Sequence, residues 1–188
     1  MKEVTVLGID LAKNSFQLHG VSDEGEVILK KAVSRSKLSS IIANLQPCLI
    51  GMEACSGANY WAREFQKYGH NVKLISPQFV KPYVKSNKND ANDAEAICEA
   101  VSRPSMRFVP IKTLEQQDIQ SIHRIRSRLV KEKTALMNSI RGLLHEYGVS
   151  IPQGVSSLRK KLIELSEAEI TSTTLFMCKD LYEELLEK

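Results

Sequence analysis

Val4-Thr-Val-Leu-Gly-Ile-Asp10 is rich in residues that suit a pleated surface and stops at an acid, which predicts a first strand. Phe16 to Val21 predicts a second, Asp23-Glu24-Gly25 a turn, and Val27 to Val33 a third. Three strands joined this closely make an antiparallel meander. Downstream, residues 36–45 place apolar side chains at 38, 41, 42 and 45, the spacing of a helix that Pro47 ends. Cys48 to Glu53 is a short apolar strand that again stops at an acid. Ser56-Gly57 opens a helix, with Ser56 as its N-cap, and Gly69 closes it. Val72 to Ile75 predicts a fifth strand, and Ser76-Pro77 a short helix interrupted by Pro82. Residues 85–89 form a polar loop, and residues 90–102 an Ala-rich helix. The order β-β-β-α-β-α-β-α predicts a mixed five-stranded sheet with helices on both faces and right-handed crossovers. This is the outline of a ribonuclease H-like α/β fold.

Beyond this sheet the pattern changes. Pro104 and Pro110 bracket a connector, and Thr113-Leu-Glu-Gln116 matches a capping box. The helix it opens is expected to run to Gly148, which would be its C-cap, about 50 Å at 1.5 Å per residue. Ile122, Ile125, Leu129, Leu136, Ile140 and Leu143 make an apolar stripe along it. So long a stripe needs a partner helix, from this chain or another copy, so a homodimer or larger assembly is expected. Ser156 to Lys188 predicts one or two more helices. The expected organisation is a catalytic α/β domain over 1–111 and a helical, coiled-coil-like segment for dimerisation and nucleic-acid binding over 112–188.

Composition narrows the class. The chain has 188 residues, 43% hydrophobic and 26% charged, which suits an ordinary folded domain and excludes disorder. The longest apolar run, Leu175 to Cys178, is far short of the ~20 residues of a membrane span. The N-terminus carries acids where a secretion signal needs an apolar stretch, so a cytoplasmic location is expected. Cys48, Cys55, Cys98 and Cys178 show no C-x-x-C spacing and do not cluster with the four histidines. They are expected to be reduced, buried thiols, not zinc ligands or disulfides. The net charge is +4, and residues 112–158 carry seven Lys and Arg against four acids.

Four acids occupy positions with chemical meaning. Asp10 ends the first strand and Glu53 the fourth. Asp90 and Asp93 lie one turn apart at a helix start. In a sheet of this order strands one and four are neighbours, and ligands collect at the carboxyl ends of parallel strands. Four carboxylates in one pocket repel one another unless a hard cation relieves them. Two magnesium or manganese ions about 4 Å apart could hold the attacking and leaving oxygens of an in-line phosphoryl displacement. Read alone, acids at strand ends and helix starts are also common for dipole reasons.

Three blocks carry a family resemblance: Gly8-Ile-Asp10-Leu-Ala-Lys13, Met52-Glu53-Ala-Cys-Ser-Gly57-Ala-Asn-Tyr-Trp61-Ala-Arg63, and Lys88-Asn-Asp90-Ala-Asn-Asp93-Ala-Glu-Ala-Ile97. In order and content they resemble the signature blocks of DEDD-type insertion-sequence transposases, a bacterial family that includes the Piv-type DNA invertases. Arg103-Pro-Ser-Met-Arg-Phe-Val-Pro110 and Arg124 to Gly148 are similar to the family as well, so the resemblance spans residues 3–150. It implies a RuvC-like catalytic domain with Asp10, Glu53, Asp90 and Asp93 as the DEDD tetrad, holding two Mg²⁺ or Mn²⁺ ions for DNA cleavage and strand transfer. It further implies a coiled-coil-like segment, association with a structured guide RNA and a nucleoid-associated setting. The family's C-terminal, serine-bearing transposase domain is not placed within these 188 residues.

Basic side chains suggest where a nucleic acid would lie. Arg124, Arg128 and Lys131 form one row on the long helix, and Arg126 and Lys133 a second. Like charges at this spacing disfavour an isolated helix, and a polyanion would compensate; the alternative is a solvated face paired with Glu132. Lys85 and Lys88 flank the Asp90 helix, which Asn89 would cap, and Lys13 lies just past the first strand; each is a candidate phosphate contact. Tyr60 and Trp61 are expected in the core. Two other readings remain: a phosphotransferase of the actin-like ATPase class, which lacks a second Gly-rich phosphate loop here, and a non-catalytic dimerisation and nucleic-acid-docking module.

Overall fold

The opening meander forms as β1 (Val6–Leu11), β2 (Ser15–Val21) and β3 (Val27–Ser34), each antiparallel to the next. The structure is a computed structural model, and it describes residues 2–84, 90–165 and 169–187, without the side chains of Asp90 and Ala91. After α1 (Arg35–Ala43), β4 (Leu49–Glu53) pairs parallel to β1. After α2 (Ala58–Lys67), β5 (Asn71–Ile75) pairs parallel to β4. Then come α3 (Pro77–Val80), a 3-10 turn (Lys81–Tyr83) and α4 (Asp90–Val101).

The sheet has six strands, not the expected five, in the order β3-β2-β1-β4-β5-β6. The addition is β6 (Phe108–Val109), antiparallel to β5. Two residues between prolines carry no alternation, so the segment read as a connector. It is held from α2: Arg63 Nη1 donates to the Lys112 carbonyl (2.6 Å) and the Lys112 N–H donates to Asn59 Oδ1 (2.8 Å).

Side chains alternate across a strand, and the alternation sorts the two faces. Leu7, Ile9, Phe16, Leu18, Ile50 and Met52 pack with Leu38 and Ile42 of α1 and with Trp61 and Phe65 of α2. On the other face Val6, Leu49 and Ile75 pack with Val80 and with Ile97, Ala100 and Val101 of α4. Fully burying each such large aliphatic or aromatic side chain contributes roughly 1.5–3 kcal/mol. The second face needs small residues. A Cβ on Gly8 would overlap the Ala94 carbonyl and lie 2.5 Å from the Cys98 nitrogen, and one on Gly51 would lie 2.8 Å from Val101 Cβ. The glycines let α4 lie directly on β1 and β4.

Contacts divide the chain into residues 1–113 and 114–188. The second unit holds α5 (Leu114–His145), α6 (Val155–Glu164) and α7 (Ser172–Glu187). Ile140 and Leu144 of α5 are buried with Leu158 and Leu162 of α6 and with Leu175, Cys178 and Leu185 of α7. The predicted stripe therefore splits: Leu136, Ile140 and Leu143 join this core, while Ile122 (64% exposed) and Ile125 (54%) lie bare. The regular helix ends at His145, and Gly148 closes it as expected: at φ +74° its N–H donates to the His145 carbonyl (2.9 Å), and the Val149 N–H donates to the Leu144 carbonyl (3.0 Å). Two smaller expectations are also corrected. Ser56 is not the cap of α2, since Gly57 holds that position at φ +85° with no side-chain cap. Cys55 is exposed while the other three thiols are buried, and all four are free. No helix among the described residues is long and apolar enough to cross a membrane.

Candidate functional site

The parallel register sets Ile9 of β1 beside Met52 of β4, so the next residues, Asp10 and Glu53, are neighbours at the carboxyl ends of the two strands. By alternation both fall on the face of Gly8 and Gly51, the face that α4 covers. Ala94 and Cys98 meet Gly8, so the N-terminal turn of α4 lies beyond Gly8, toward Asp10. Asp93 is in that turn, and Asp90 is the first residue of the helix. The side chain of Asp90 lies outside the described residues, as do Lys85, Lys88 and Asn89.

Electrostatics record the convergence of three acids. The Glu53 carboxyl is held above its ordinary value, first by burial, then by the negative charges of Asp10 and Asp93. Each effect disfavours the charged form. The Cys55 thiol, two residues on and only partly covered, is raised by that partial burial and then by Glu53 and Asp10, which places it at the same site. Among the described residues, no three acid, His or Cys side chains are already drawn to the spacing of an ion cage. The available donors are carboxylate oxygens, which suit magnesium, manganese or calcium and not a soft metal. A cation would relieve the repulsion felt at Glu53, so the residues present fit a hard divalent ion.

The basic candidates are distributed differently. Lys13 is exposed in the β1–β2 turn, just past Asp10. Arg124, Arg126, Arg128, Lys131 and Lys133 are all exposed on α5. Arg124, Arg128 and Lys131 line a polar groove with Gln120 and His123, and Arg128 pairs with Glu132 at 3.3 Å. Arg126 and Lys133 instead border the apolar patch of Ile122, Ile125, Leu129 and Val130. The two rows thus face different surroundings. Sequence reasoning missed the place of Cys55 beside the acids and the exposure of Tyr60. Trp61 is buried as expected, but Tyr60 is 47% exposed. The signal was present: Ala58, Trp61, Ala62 and Phe65 define the buried side of α2 at helical spacing, and Tyr60 lies off it.

Comparison with known proteins identifies a family and relatives. A DEDD IS110 family model described as "Transposase" matches residues 7–149. The chain is 57% identical over 143 residues to a "Probable family 20 transposase" of Pseudomonas aeruginosa, a match covering 76% of this chain and 42% of that protein. It is 50% identical over 191 residues to the "Transposase for insertion sequence element IS1111A" of Coxiella burnetii, covering 100% and 52% respectively. It is 47% identical over 170 residues to the transposase for IS1328 of Yersinia enterocolitica, covering 90% and 51%. The chain spans about half the length of these curated relatives.

Proposed function

From the premise that this chain belongs to the DEDD-type transposases of insertion sequences, we propose that residues 1–111 are a ribonuclease H-like, RuvC-like catalytic domain for DNA phosphodiester cleavage and strand transfer. The strand order supports that fold: an antiparallel meander, then β4 and β5 parallel to β1. The observation that carries the chemistry is the parallel register of β1 and β4, which sets Asp10 and Glu53 side by side at one sheet edge; burial first, then Asp10 and Asp93, hold the Glu53 carboxyl above its ordinary value.

Asp10, Glu53, Asp90 and Asp93 are the residues that would hold Mg²⁺ or Mn²⁺, two ions by the number of carboxylates. Bound there, the ions supply the positive charge that steadies the attacking and leaving oxygens of a phosphodiester displacement. The protein's own part is placement. Two strand ends and one helix start fix the carboxylates, and glycines at 8 and 51 set the helix at its depth. Lys13 contacts a phosphate next to the acids, and Lys85 and Lys88 are assigned the same role from their place before Asp90. Residues 112–188 dock nucleic acid through Arg124, Arg128 and Lys131, with Arg126 and Lys133 on the opposite row, and associate with a second copy through the bare stripe. The partners on this reading are DNA and a structured guide RNA.

The test is Mn²⁺-dependent binding and cleavage of branched DNA by the parent, Asp10→Asn and Asp93→Asn. Both substitutions are expected to abolish cleavage and weaken manganese binding while the fold persists. Substituted proteins that bind metal and cleave like the parent overturn the assignment.

A further inference from the structure

An aromatic and basic surface lies on the same sheet edge as the acids, on the α1–α2 side. Tyr60 is in the first turn of α2, which begins five residues past Glu53. Its ring meets Trp61 edge-on, with centroids 5.1 Å apart. The Arg35 guanidinium lies over the Trp61 ring at 5.1 Å. Arg35 opens α1, and its N–H donates to the Asn14 carbonyl at 3.0 Å, tying that helix start to the turn that carries Lys13. Lys13, Arg35, Lys37 and Tyr60 are all exposed. Neither α1 nor α2 has an acid in its first turn. The nearby acid on α2, Glu64, is engaged by Lys67 at 2.6 Å.

We propose that this surface is the path of an unpaired DNA strand leading to the acids, with one base stacked on Tyr60 and its flanking phosphates met by Arg35 and Lys13. An aromatic face beside cations is the combination that holds single strands without reading their sequence. Duplex DNA hides its base faces and would leave Tyr60 without a stacking partner. Tyr60 is well placed for the task because Trp61, packed on Phe16 (5.4 Å) and Phe65 (5.5 Å), forms a rigid backing for it. The inference rests on the phosphodiester reading of the acid site, since it supplies the strand that the site would act on.

The test uses the whole chain in EDTA and a short fluorescent single-stranded DNA. Tyr60→Ala is expected to weaken binding about tenfold, and Tyr60→Phe to stay within about twofold of the parent. Lys13→Gln and Arg35→Gln should each lower the salt dependence by about one phosphate contact. Trp61 is the chain's one tryptophan, so its emission should change when the strand binds. Parent-like binding by Tyr60→Ala, or unchanged Trp61 emission, overturns the proposal. So does an RNA of the same sequence binding more tightly than the DNA. Because no divalent ion is present, these outcomes are independent of the manganese and cleavage assays, and either reading can fail alone.

Discussion

At the scale of the residue, Glu53 and His70 show two ways of placing an ionisable group. Glu53 is half-buried beside two like charges, so its carboxyl is raised in the folded protein. A raised carboxyl binds its proton more tightly folded than unfolded. Its penalty is therefore absent below the ordinary carboxylate value, grows as pH rises toward the folded value, and is full above it. In EDTA, the melting temperature of the parent should rise as pH falls through that window. Glu53→Gln should remove this contribution and melt higher than the parent near neutral pH. Mg²⁺ should stabilise the parent and do little for the variant; equal pH profiles for the two proteins would refute this account. His70 is buried and structural. Its Nδ1 accepts from the Cys48 N–H (3.2 Å), so Nε2 carries the proton and donates to the Ile42 carbonyl (3.0 Å). This one ring joins the end of α1 to the starts of β4 and β5. His70→Ala leaves the buried Cys48 N–H without its acceptor, at a cost of about 1–3 kcal/mol, while the Ile42 carbonyl keeps the Leu45 N–H (3.1 Å). Urea denaturation should show a loss of about 1–3 kcal/mol, while DNA binding per folded molecule is unchanged.

At the scale of the element, α4 is the critical part because it brings Asp93 to Glu53 at the ends of β1 and β4. Gly8→Ala forces a methyl group into its backbone and should lift it. Overpacking of this kind costs about 1–3 kcal/mol, so a lower melting temperature is expected together with loss of stabilisation by Mn²⁺. Gly142→Ala is the contrasting case: its Cβ meets nothing within 4 Å in the last turn of α5, and alanine is favoured over glycine there by up to about 1 kcal/mol. That variant should melt above the parent. The elements also show what a sequence can reveal. β1 to β5 were readable because their alternation and acid stops are local. The adjacency of Asp10 and Glu53 followed from strand order alone. β6 was not readable, since two residues have no period and the strand exists only because β5 and the clamp from Asn59 and Arg63 receive it. Nor was the role of Gly8, which read as part of a strand and a motif. Its demand for a bare backbone arises from a helix more than eighty residues away. The cap of α2 fell to Gly57 and not Ser56 because the chain enters that helix through a left-handed residue.

At the scale of the whole molecule, two units each close a core of their own. The clusters built on the sheet draw only on residues up to 111, and the helical cluster only on residues from 136 onward. Between them in sequence, Ile122, Ile125, Leu129 and Val130 form an apolar patch on the first half of α5, with Arg126 and Lys133 at its border. Apolar surface at helical spacing gains from burial, and a second copy of the same helix offers a matching stripe. Cations at the rim would keep such a pair soluble and could face a polyanion. Sedimentation of the full chain should show concentration-dependent association. The fragment 1–113 should remain folded and monomeric, because its core does not depend on the helical unit. Within the full chain, Ile122→Lys with Ile125→Lys should abolish association without lowering the melting temperature of either unit, since both side chains are exposed. A doubly substituted chain that still associates would move the interface away from α5, while leaving the assignment of the acids at the sheet edge untouched.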